Sequence, residues 1–389
     1  MKFIIVCGGS AGHINPAIAI AEELRSRTGD AEILFIGADK ILEKKLIPAA
    51  GFNLINIKMS GLRRKISPKD ISHNIKTIKN LMLAGIASEK ILKKHKPDAV
   101  IGTGGYISYP VIKKAIKHKI PTFLLEPNAL PGLAVRMLNK NTTGIFVTYP
   151  GTEHKYKRPE RVIYTGTPLK KAFIETAELP EVIAPKERPL VISYWGSLGA
   201  PKMNTVILDF IKQNIREKKF DHIHAAGAGA STDSLEKQLN TDKMQEANDP
   251  LIEIRDYIDD MPSVMKRADI VISRSGASTI AEQAALGKPS ILIPSPNVTE
   301  NHQEENAKRA ETASGAVMIL ENDCTGEELF NTVLSLLENK EKLHDMKLAQ
   351  RSLFVHDASV KIVDTVLKYC NYDVDRGEAE DGGKQKEKI

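Results

Sequence analysis

The sequence predicts an α/β fold made of two Rossmann-like domains, each with a doubly wound parallel sheet. With 389 residues, the chain is too long for one ordinary hydrophobic core. In both halves, apolar runs typical of buried strands alternate with amphipathic helical patterns, as parallel sheets require. Residues 165–189 between the halves have the proline and charge content of a linker. We therefore expect two domains that face one another across a cleft.

The predicted elements set the domain boundaries. An N-terminal domain, residues 1–164, and a C-terminal domain, residues 190–345, flank the linker. We expect a helix at 346–370 to pack back on the N-terminal domain and the polar tail, 371–389, to be disordered. Strands are predicted at residues 2–7, 32–37, 53–58, 98–102, 121–126 and 144–148 in the first half, and at 191–196, 222–227, 251–257, 269–273 and 290–294 in the second.

The composition is that of a soluble protein whose two halves differ in charge. Hydrophobic residues make up 42% and charged residues 27%, and no apolar run approaches the roughly 20 residues of a membrane span. The three cysteines fit neither a disulfide framework nor metal-ligand spacing, so we expect a cytosolic location. Residues 1–170 hold 28 Lys and Arg against 12 Asp and Glu, a net +16, whereas the remainder is −10. This asymmetry predicts an anionic partner for the first half: nucleic acid, phospholipid head groups or a phosphorylated substrate.

The most informative segment is residues 273–307. A Ser/Gly turn, residues 275–279, follows an apolar strand and leads into a helix predicted from Thr279. Free backbone N–H groups at such a helix start bind anions, although the same turn also serves as a plain helix cap. Glu282 then lies where its carboxylate reaches a sugar hydroxyl beside a bound phosphate, and the loop at residues 301–303 follows the next strand. The segment predicts a nucleotide-sugar site.

Three further loops follow strands of the first half. Residues 8–12 have the spacing G-G-x-x-G, which permits close backbone approach to a ligand, and Pro16 is expected to start the next helix. His13, at this junction, is either a general base or a simple hydrogen-bonding group. The other loops are residues 102–106, a potential pyrophosphate cradle, and 126–132, in which Asn128 offers a donor and an acceptor. Asp39 leaves an NAD-binding interpretation open.

These motifs resemble, in order and over residues 2 to about 368, those of the MurG family of glycosyltransferases. The matching segments are GGSAGH, SGLR (60–63), GTGGY, PNALPGLA, GTP (166–168), GSLGA (196–200), YIDDM (257–261), SRSGASTIAEQAALG and HQEENA (302–307). The resemblance implies a GT-B fold and an inverting, metal-independent transfer of N-acetylglucosamine from UDP-N-acetylglucosamine. The acceptor it implies is undecaprenyl-pyrophosphoryl-linked muramyl-pentapeptide, converted from lipid I to lipid II in peptidoglycan synthesis, with no bound cofactor.

The resemblance also implies roles for individual residues. His13 matches the general base of the family. The implied donor-binding residues are Ser10, Asn128, Lys170, Ser197, Ile258, Arg274, Ala277, Ser278, Thr279, Glu282, His302 and Gln303. The implied acceptor-pyrophosphate residues are Gly12, Gly104, Gly105 and Tyr106. This chain departs from the family pattern at Lys170, where the family has a forked arginine, and at Trp195, where it has a glycine.

Three expectations concern metal, membrane and competing functions. The sequence has no Asp-x-Asp metal motif, and Asp259-Asp260 is expected to cap a helix starting at Met261. Residues 61–97 mix apolar side chains with dense Lys and Arg, which favours either docking on the cytoplasmic face of an anionic membrane or an ordinary surface helix. Nucleic-acid binding is not expected, because aromatic interleaving is absent. The competing classes are a GT-B enzyme with another lipid acceptor, a UDP-sugar epimerase and a non-catalytic binding protein.

Overall fold

The chain divides into two compact units. The computed structural model describes residues 1–59, 61, 68–180, 187–227, 235, 239, 251–298, 301–373 and 378–379, with the backbone alone at 68–71, 73, 373, 378 and 379. Unit 1 comprises Met1–Pro127, Pro131–Pro168 and Asp357–Ile389, and unit 2 comprises Asn128–Leu130 and Leu169–His356. Each unit is built around its own parallel sheet, which confirms the predicted fold class of two Rossmann-like α/β domains.

Unit 1 contains a seven-stranded sheet in the order β3-β2-β1-β4-β5-β6-β7. Its strands are fully or largely buried at the centre because helices cover both faces, as a parallel sheet requires. The strands are β1 (Lys2–Val6), β2 (Glu32–Gly37), β3 (Asn53–Asn56), β4 (Ala99–Gly102), β5 (Thr122–Glu126), β6 (Gly144–Val147) and β7 (Val162–Tyr164). The helices are α1 (Ala11–Thr28), α2 (Ile41–Ala49), α3 (Pro68–His95), α4 (Ser108–Lys117) and α5 (Leu133–Leu138), with short 3-10 turns at Glu153–Lys155 and Pro159–Arg161.

Unit 2 contains a six-stranded sheet in the order β10-β9-β8-β11-β12-β13. Its strands are β8 (Leu190–Tyr194), β9 (Asp221–Ala225), β10 (Ile252–Arg255), β11 (Ile270–Ser273), β12 (Ser290–Leu292) and β13 (Ala316–Met318). Its helices are α6 (Lys171–Glu178), α7 (Pro201–Glu217), α8 (Met261–Arg267), α9 (Ala277–Ala285), α10 (His302–Thr312), α11 (Gly326–Glu338) and α12 (Lys340–Ser352).

The C-terminal segment returns to unit 1 from Asp357, whereas residues 346–352 of the helix predicted at 346–370 belong to α12 of unit 2. Helix α13 (Ala358–Tyr369) packs against α1, and its Ile362, Val363, Val366 and Leu367 belong to the same apolar core as Ile14 and Leu24. Beyond it, β14 (Tyr372–Asp373) pairs with β15 (Glu378–Ala379), and most of the tail predicted as disordered lies outside the described residues.

Several predicted boundaries differ from the structure. The segment 165–189, predicted as a linker, contains helix α6, whose Phe173 packs into the core of unit 2. Strands β7 and β13 are not predicted from the sequence, because each is a three-residue strand at the edge of its sheet and shows no periodicity. Within the described part of the chain, no helix has the length and apolarity needed to cross a membrane.

Candidate active site

The predicted loops lie where the strand order of each sheet reverses. In unit 1 the reversal falls between β1 and β4, which are followed by the glycine loop at 8–12 and the GTGGY loop. In unit 2 it falls between β8 and β11, followed by the GSLGA loop and the SRSGAS loop. Because open parallel sheets bind ligands at these switch points, each unit has a candidate site at the carboxyl edge of its sheet.

Helix α1 begins earlier than predicted and takes His13 into its first turn. The Ser10 carbonyl accepts hydrogen bonds from the N–H groups of His13 (3.1 Å) and Ile14 (3.2 Å), so the first turn closes before Pro16. The expectation that Pro16 starts the helix is therefore wrong; it lies inside α1. His13 is consequently held by regular helix rather than by a loop.

The loops after β1 and β4 fix the His13 imidazole between them. His13 Nδ1 lies 3.1 Å from the Thr103 carbonyl oxygen, and Thr103 Oγ1 donates to the His13 carbonyl at 2.8 Å. Because a carbonyl only accepts, Nδ1 carries the hydrogen and Nε2 is the basic nitrogen of the neutral ring. A side chain at Gly104 would collide with this ring, which explains the glycine there. The geometry thus selects the tautomer that a general base needs.

The predicted acceptor residues lie around the same edge of the unit 1 sheet. Gly104 and Gly105 have φ angles of +123° and +82°, and the Gly105 backbone approaches the Gly8 carbonyl so closely that no Cβ fits. Tyr106 is half-exposed, with its ring against Gly61. Gly12 belongs to the first turn of α1, whose leading N–H groups favour an anion. Ser10, predicted to bind donor, also lies here as the exposed N-cap residue of α1.

In unit 2, the start of helix α9 is a second candidate anion site. It begins at Ala277, two residues before the predicted start, because the Gly276 carbonyl accepts the Ile280 N–H at 3.0 Å and closes the first turn. Ala277, Ser278 and Thr279 are its first three residues, at the end of the helix that carries the positive end of its dipole. A helix start of this kind suits a diphosphate, and binding of the donor diphosphate here stays a prediction.

Glu282 lies one turn further along α9 in a poorly hydrated environment. Removal from water raises the pKa of its carboxyl to about 7, and the opposing charge of Lys170 lowers that pKa. Burial, and then the negative charge of Glu282, raise the pKa values of the neighbouring Tyr194 and Tyr257 hydroxyls. Lys170 precedes α6 as its N-cap residue, so the lysine that replaces the arginine of the family acts on Glu282.

Asn306, which has no predicted role in the sequence, holds Asn128 in unit 2. Asn306, fully buried on α10, accepts the Ala129 N–H at 2.9 Å and donates to Asn128 Oδ1 and to the Ser275 carbonyl, both at 3.2 Å. Asn128 Oδ1 is therefore occupied by a protein donor, and we expect the amide to act on a ligand as a donor through Nδ2. Gln303 is fixed similarly, since its Oε1 accepts the Ser295 N–H at 2.9 Å.

Arg274 is bonded within unit 2. Its guanidinium pairs with Glu321 at 2.5 Å and donates to the carbonyls of Ile293 (3.1 Å) and Pro294 (3.3 Å). Ile293 and Pro294 follow β12, Glu321 follows β13, and Arg274 itself follows β11, so these bonds connect the segments after three strands. Its guanidinium carbon also lies 6.0 Å from the ring centre of Trp195, which is buried. A direct donor contact by Arg274 stays a prediction.

The remaining predicted donor residues border the same loops. Ser197 is half-buried in the GSLGA loop, where Gly199 packs against the Ala226 carbonyl so closely that no side chain fits. Ile258 is buried in the core, so only its backbone is suited to a ligand, as the resemblance implies. His302 is half-buried at the first position of α10. Their ligand contacts stay predictions.

The acidic pair before α8 forms a different contact from the one predicted. Asp260 stands at the N-cap position of α8 but makes no side-chain cap bond, because its carboxylate accepts from Arg255 Nη1 at 3.2 Å. Among the described residues, no cluster of three or more His, Cys, Asp or Glu side chains is arranged to hold a metal ion.

Comparison with known proteins places these two units in a glycosyltransferase class. Residues 3–147 match the Glycosyltransferase family 28 N-terminal domain, and residues 192–362 match the family 28 C-terminal domain. A UDP-N-acetylglucosamine--N-acetylmuramyl-(pentapeptide) pyrophosphoryl-undecaprenol N-acetylglucosamine transferase from Acetivibrio thermocellus is 38% identical over 94% of this chain and 97% of its own. A protein with the same name from Lactococcus lactis subsp. cremoris is 35% identical over 95% of this chain and 100% of its own. The chain belongs to this family of transferases, the MurG family.

Solved structures show the same fold at lower identity. MurG from Acinetobacter baumannii is 22% identical and aligns with a TM-score of 0.71 over 94% of this chain and 99% of its own. A UDP-GlcNAc 2-epimerase from Neisseria meningitidis, solved bound to UDP-GlcNAc, is 15% identical with a TM-score of 0.65 over 95% of this chain and 100% of its own. The fold is thus common to transferases and epimerases, and the sequence relatives decide between them.

Proposed function

We propose that this chain transfers N-acetylglucosamine from UDP-N-acetylglucosamine to the C4 hydroxyl of undecaprenyl-pyrophosphoryl-linked muramyl-pentapeptide, the lipid I to lipid II step of peptidoglycan synthesis. The identity of 38% over 94% of the chain to a transferase of that name carries the proposal. The geometry of both sheet edges supports it, since one edge offers a base and the other an anion site with a carboxylate beside it.

The chemistry divides between the two sites. The acceptor hydroxyl loses its proton as it attacks the anomeric carbon, and His13 Nε2 is the group suited to receive that proton. UDP leaves with its negative charge, and the N–H groups and dipole at the start of α9 stabilise the departing diphosphate. Glu282 accepts hydrogen bonds from the ribose hydroxyls, while Gln303 and Asn128 contact the sugar. The attack inverts the anomeric centre, because a single displacement has no covalent intermediate.

Transfer is expected without a divalent metal. Purified protein, UDP-N-acetylglucosamine and a soluble lipid-acceptor analogue should give a product larger by one N-acetylglucosamine, with equal yield in excess chelator, because backbone N–H groups provide the charge stabilisation. The measurement is mass spectrometry of the acceptor. Loss of activity in chelator that magnesium or manganese restores would contradict metal independence. Formation of UDP-N-acetylmannosamine without acceptor would indicate an epimerase instead.

We further propose that helix α3 docks unit 1 on the cytoplasmic face of an anionic membrane. One face of α3 carries an exposed apolar stripe, Ile75, Ile78, Met82 and Ile86, at the three- and four-residue spacing of a helix surface. Exposed lysines flank this stripe at positions 76, 79 and 90. Apolar burial in the head-group region and attraction of lysines to anionic lipid act together in such a helix. The basic residues 63–65 also predicted to contribute lie outside the described residues.

Binding to vesicles tests the membrane proposal. Reversing the charge of Lys76, Lys79 and Lys90 should cost about 1 kcal/mol for each lysine in binding to vesicles of anionic phospholipid, with UDP-N-acetylglucosamine affinity unchanged. Replacing Ile78, Met82 and Ile86 with glutamine should remove the part of the binding that persists at high salt. Reversing the exposed Lys219, Lys340 and Lys342 of unit 2, the same number of charges, is the matched control. Equal sedimentation with neutral and anionic vesicles, or an equal effect of the control, would rule out this surface.

A further inference from the structure

Glu43 is a fully buried carboxylate behind the first glycine loop. It belongs to the first turn of α2 and has no exposed surface. Its Oε1 accepts the Gly9 N–H at 2.9 Å, and its Oε2 accepts the Lys40 N–H at 3.1 Å. One oxygen thus caps its own helix, whereas the other reaches across to the loop that leads into α1.

The space around this carboxylate is formed by glycines. A Cβ at Gly8 would lie 2.7 Å from Glu43 Oε1, and a Cβ at Gly37 would lie 2.8 Å from Oε2. Both contacts are shorter than real Cβ atoms allow, and Glu43 is anchored at both oxygens. Gly37, which ends β2, and Gly8, which opens the loop after β1, therefore leave the space that the Glu43 carboxylate occupies.

Core stability alone does not account for an acid at this position. Among the described residues, no Lys, Arg or His forms an ion pair with Glu43; the neighbouring Lys44 pairs with Asp39. Burying a carboxylate without a cationic partner is costly, and two N–H donors and a helix N-terminus act against that cost. An apolar side chain would fill the same space more cheaply, but it would leave the Gly9 N–H without this acceptor.

The hydrogen bond to Gly9 fixes one end of the segment that carries His13. Gly9 has a φ angle of +94°, a conformation that the loop must hold without help from a side chain of its own. The other end is fixed by Thr103, which contacts both the ring and the carbonyl of His13. Only three residues lie between Gly9 and His13.

We propose that Glu43 is a positioning residue for His13, acting through Gly9 and the first turn of α1. This inference rests on the proposed role of His13 as general base. Glu43→Gln retains the size of the side chain but replaces one acceptor oxygen with an amide NH₂ donor. The glutamine therefore has a single acceptor oxygen and cannot accept from both the Gly9 and the Lys40 N–H groups as the two carboxylate oxygens do. The loop should loosen, and kcat should fall by about tenfold to a hundredfold, because small displacements of a catalytic group have effects of that size.

The experiment combines kinetics with hydrogen exchange on the full-length protein. In Glu43→Gln, kcat should fall while the Kd of UDP-N-acetylglucosamine changes by less than about twofold, because every predicted donor residue except Ser10 lies in unit 2. Exchange of the backbone amides at residues 8–13 should become faster. In a His13→Ala background, Glu43→Gln should lower kcat no further. Lys44→Gln, which removes the exposed ion pair between α2 and Asp39, is the matched control and should change none of these values.

A second variant covers the case in which Glu43→Gln does not fold. Gly9→Ala strains the same loop at φ +94° without a steric collision, since nothing lies within 4 Å of the added Cβ, and it should reproduce the loss of kcat. A wild-type kcat in folded Glu43→Gln, unchanged exchange at residues 8–13, or a loss additive with His13→Ala would each overturn the positioning role. Hydrogen exchange at residues 8–13 reports on the hold of Glu43 on the loop even if the wild-type protein transfers no sugar. A wild-type protein that transfers no sugar would refute the proposed function instead.

Discussion

Replacing His13 with alanine is expected to lower kcat by about 10²–10⁴-fold, the usual contribution of general acid–base catalysis. The structure gives the physical reason, because the Thr103 carbonyl holds the hydrogen on Nδ1 and leaves Nε2 as the basic nitrogen. The Kd of UDP-N-acetylglucosamine should stay close to the wild-type value. The measurements are steady-state kinetics with saturating donor and calorimetric titration of the donor.

Two further variants separate base catalysis from support of the loop. His13→Asn retains an N–H donor for the Thr103 carbonyl but has no basic nitrogen, so it should keep the melting temperature and lose kcat as alanine does. His118→Ala removes another histidine of unit 1, one that pairs with Glu89 at the surface, and should leave kcat unchanged. If donor affinity falls in step with kcat in the His13 variants, His13 binds substrate and the base is another group.

The fold could be predicted from sequence where the signal is local. Buried parallel strands appear as apolar runs, and the positions of β1, β4, β8 and β11 were predicted to within two residues. Glycine loops after those strands then locate both sheet edges, because a parallel sheet places its ligand loops at the carboxyl ends. The starts of α1 and α9 were predicted too late, since their first turns close through backbone carbonyls at Ser10 and Gly276, which leave no side-chain signature.

The supporting residues of the site could not be predicted, because their roles depend on contacts distant in sequence. Asn306 bonds the Ala129 N–H across 177 residues, and Glu43 bonds the Gly9 N–H across 34. In the sequence, Asn306 is one polar residue of a polar helix and Glu43 one acid among lysines. Arg274 is the opposite case, in which the sequence pattern suggests a ligand contact. An arginine in a motif beside a predicted anion site is typical of such a contact, but in the structure its guanidinium is bonded to Glu321 and two carbonyls.

Replacing Glu282 with alanine is expected to weaken UDP-N-acetylglucosamine binding by about 1.5–3 kcal/mol, the value of a hydrogen bond to a charged group. That energy corresponds to roughly a 10- to 150-fold increase in Kd. The loss should appear equally with UDP, because the ribose is common to both ligands. Calorimetric titration of the two ligands measures it, and an unchanged Kd would remove Glu282 from the ribose site.

The same carboxyl should make donor binding depend on pH near neutrality. Removal from water raises the pKa of Glu282 to about 7 in the unliganded protein. Near neutral pH, a large fraction of the Glu282 carboxyl groups is therefore protonated. Ribose hydroxyls donate more strongly to a carboxylate than to a carboxylic acid, so binding favours the ionised form and lowers that pKa. Binding therefore releases a proton. Affinity should fall as the pH drops below 7, by up to about tenfold per pH unit, and level off above 7.

Proton release and two variants test this dependence together. Titrations in buffers of different ionisation enthalpy should show release of a fraction of a proton near pH 7. In Glu282→Gln the affinity should be weaker and independent of pH. Lys170→Met removes the positive charge that lowers the Glu282 pKa, so the midpoint of the affinity profile should move to higher pH. A flat profile in the wild-type protein, or proton uptake on binding, would show that Glu282 does not bind the donor as a carboxylate, and the ribose contact would then belong to another residue of α9 or its neighbouring loops.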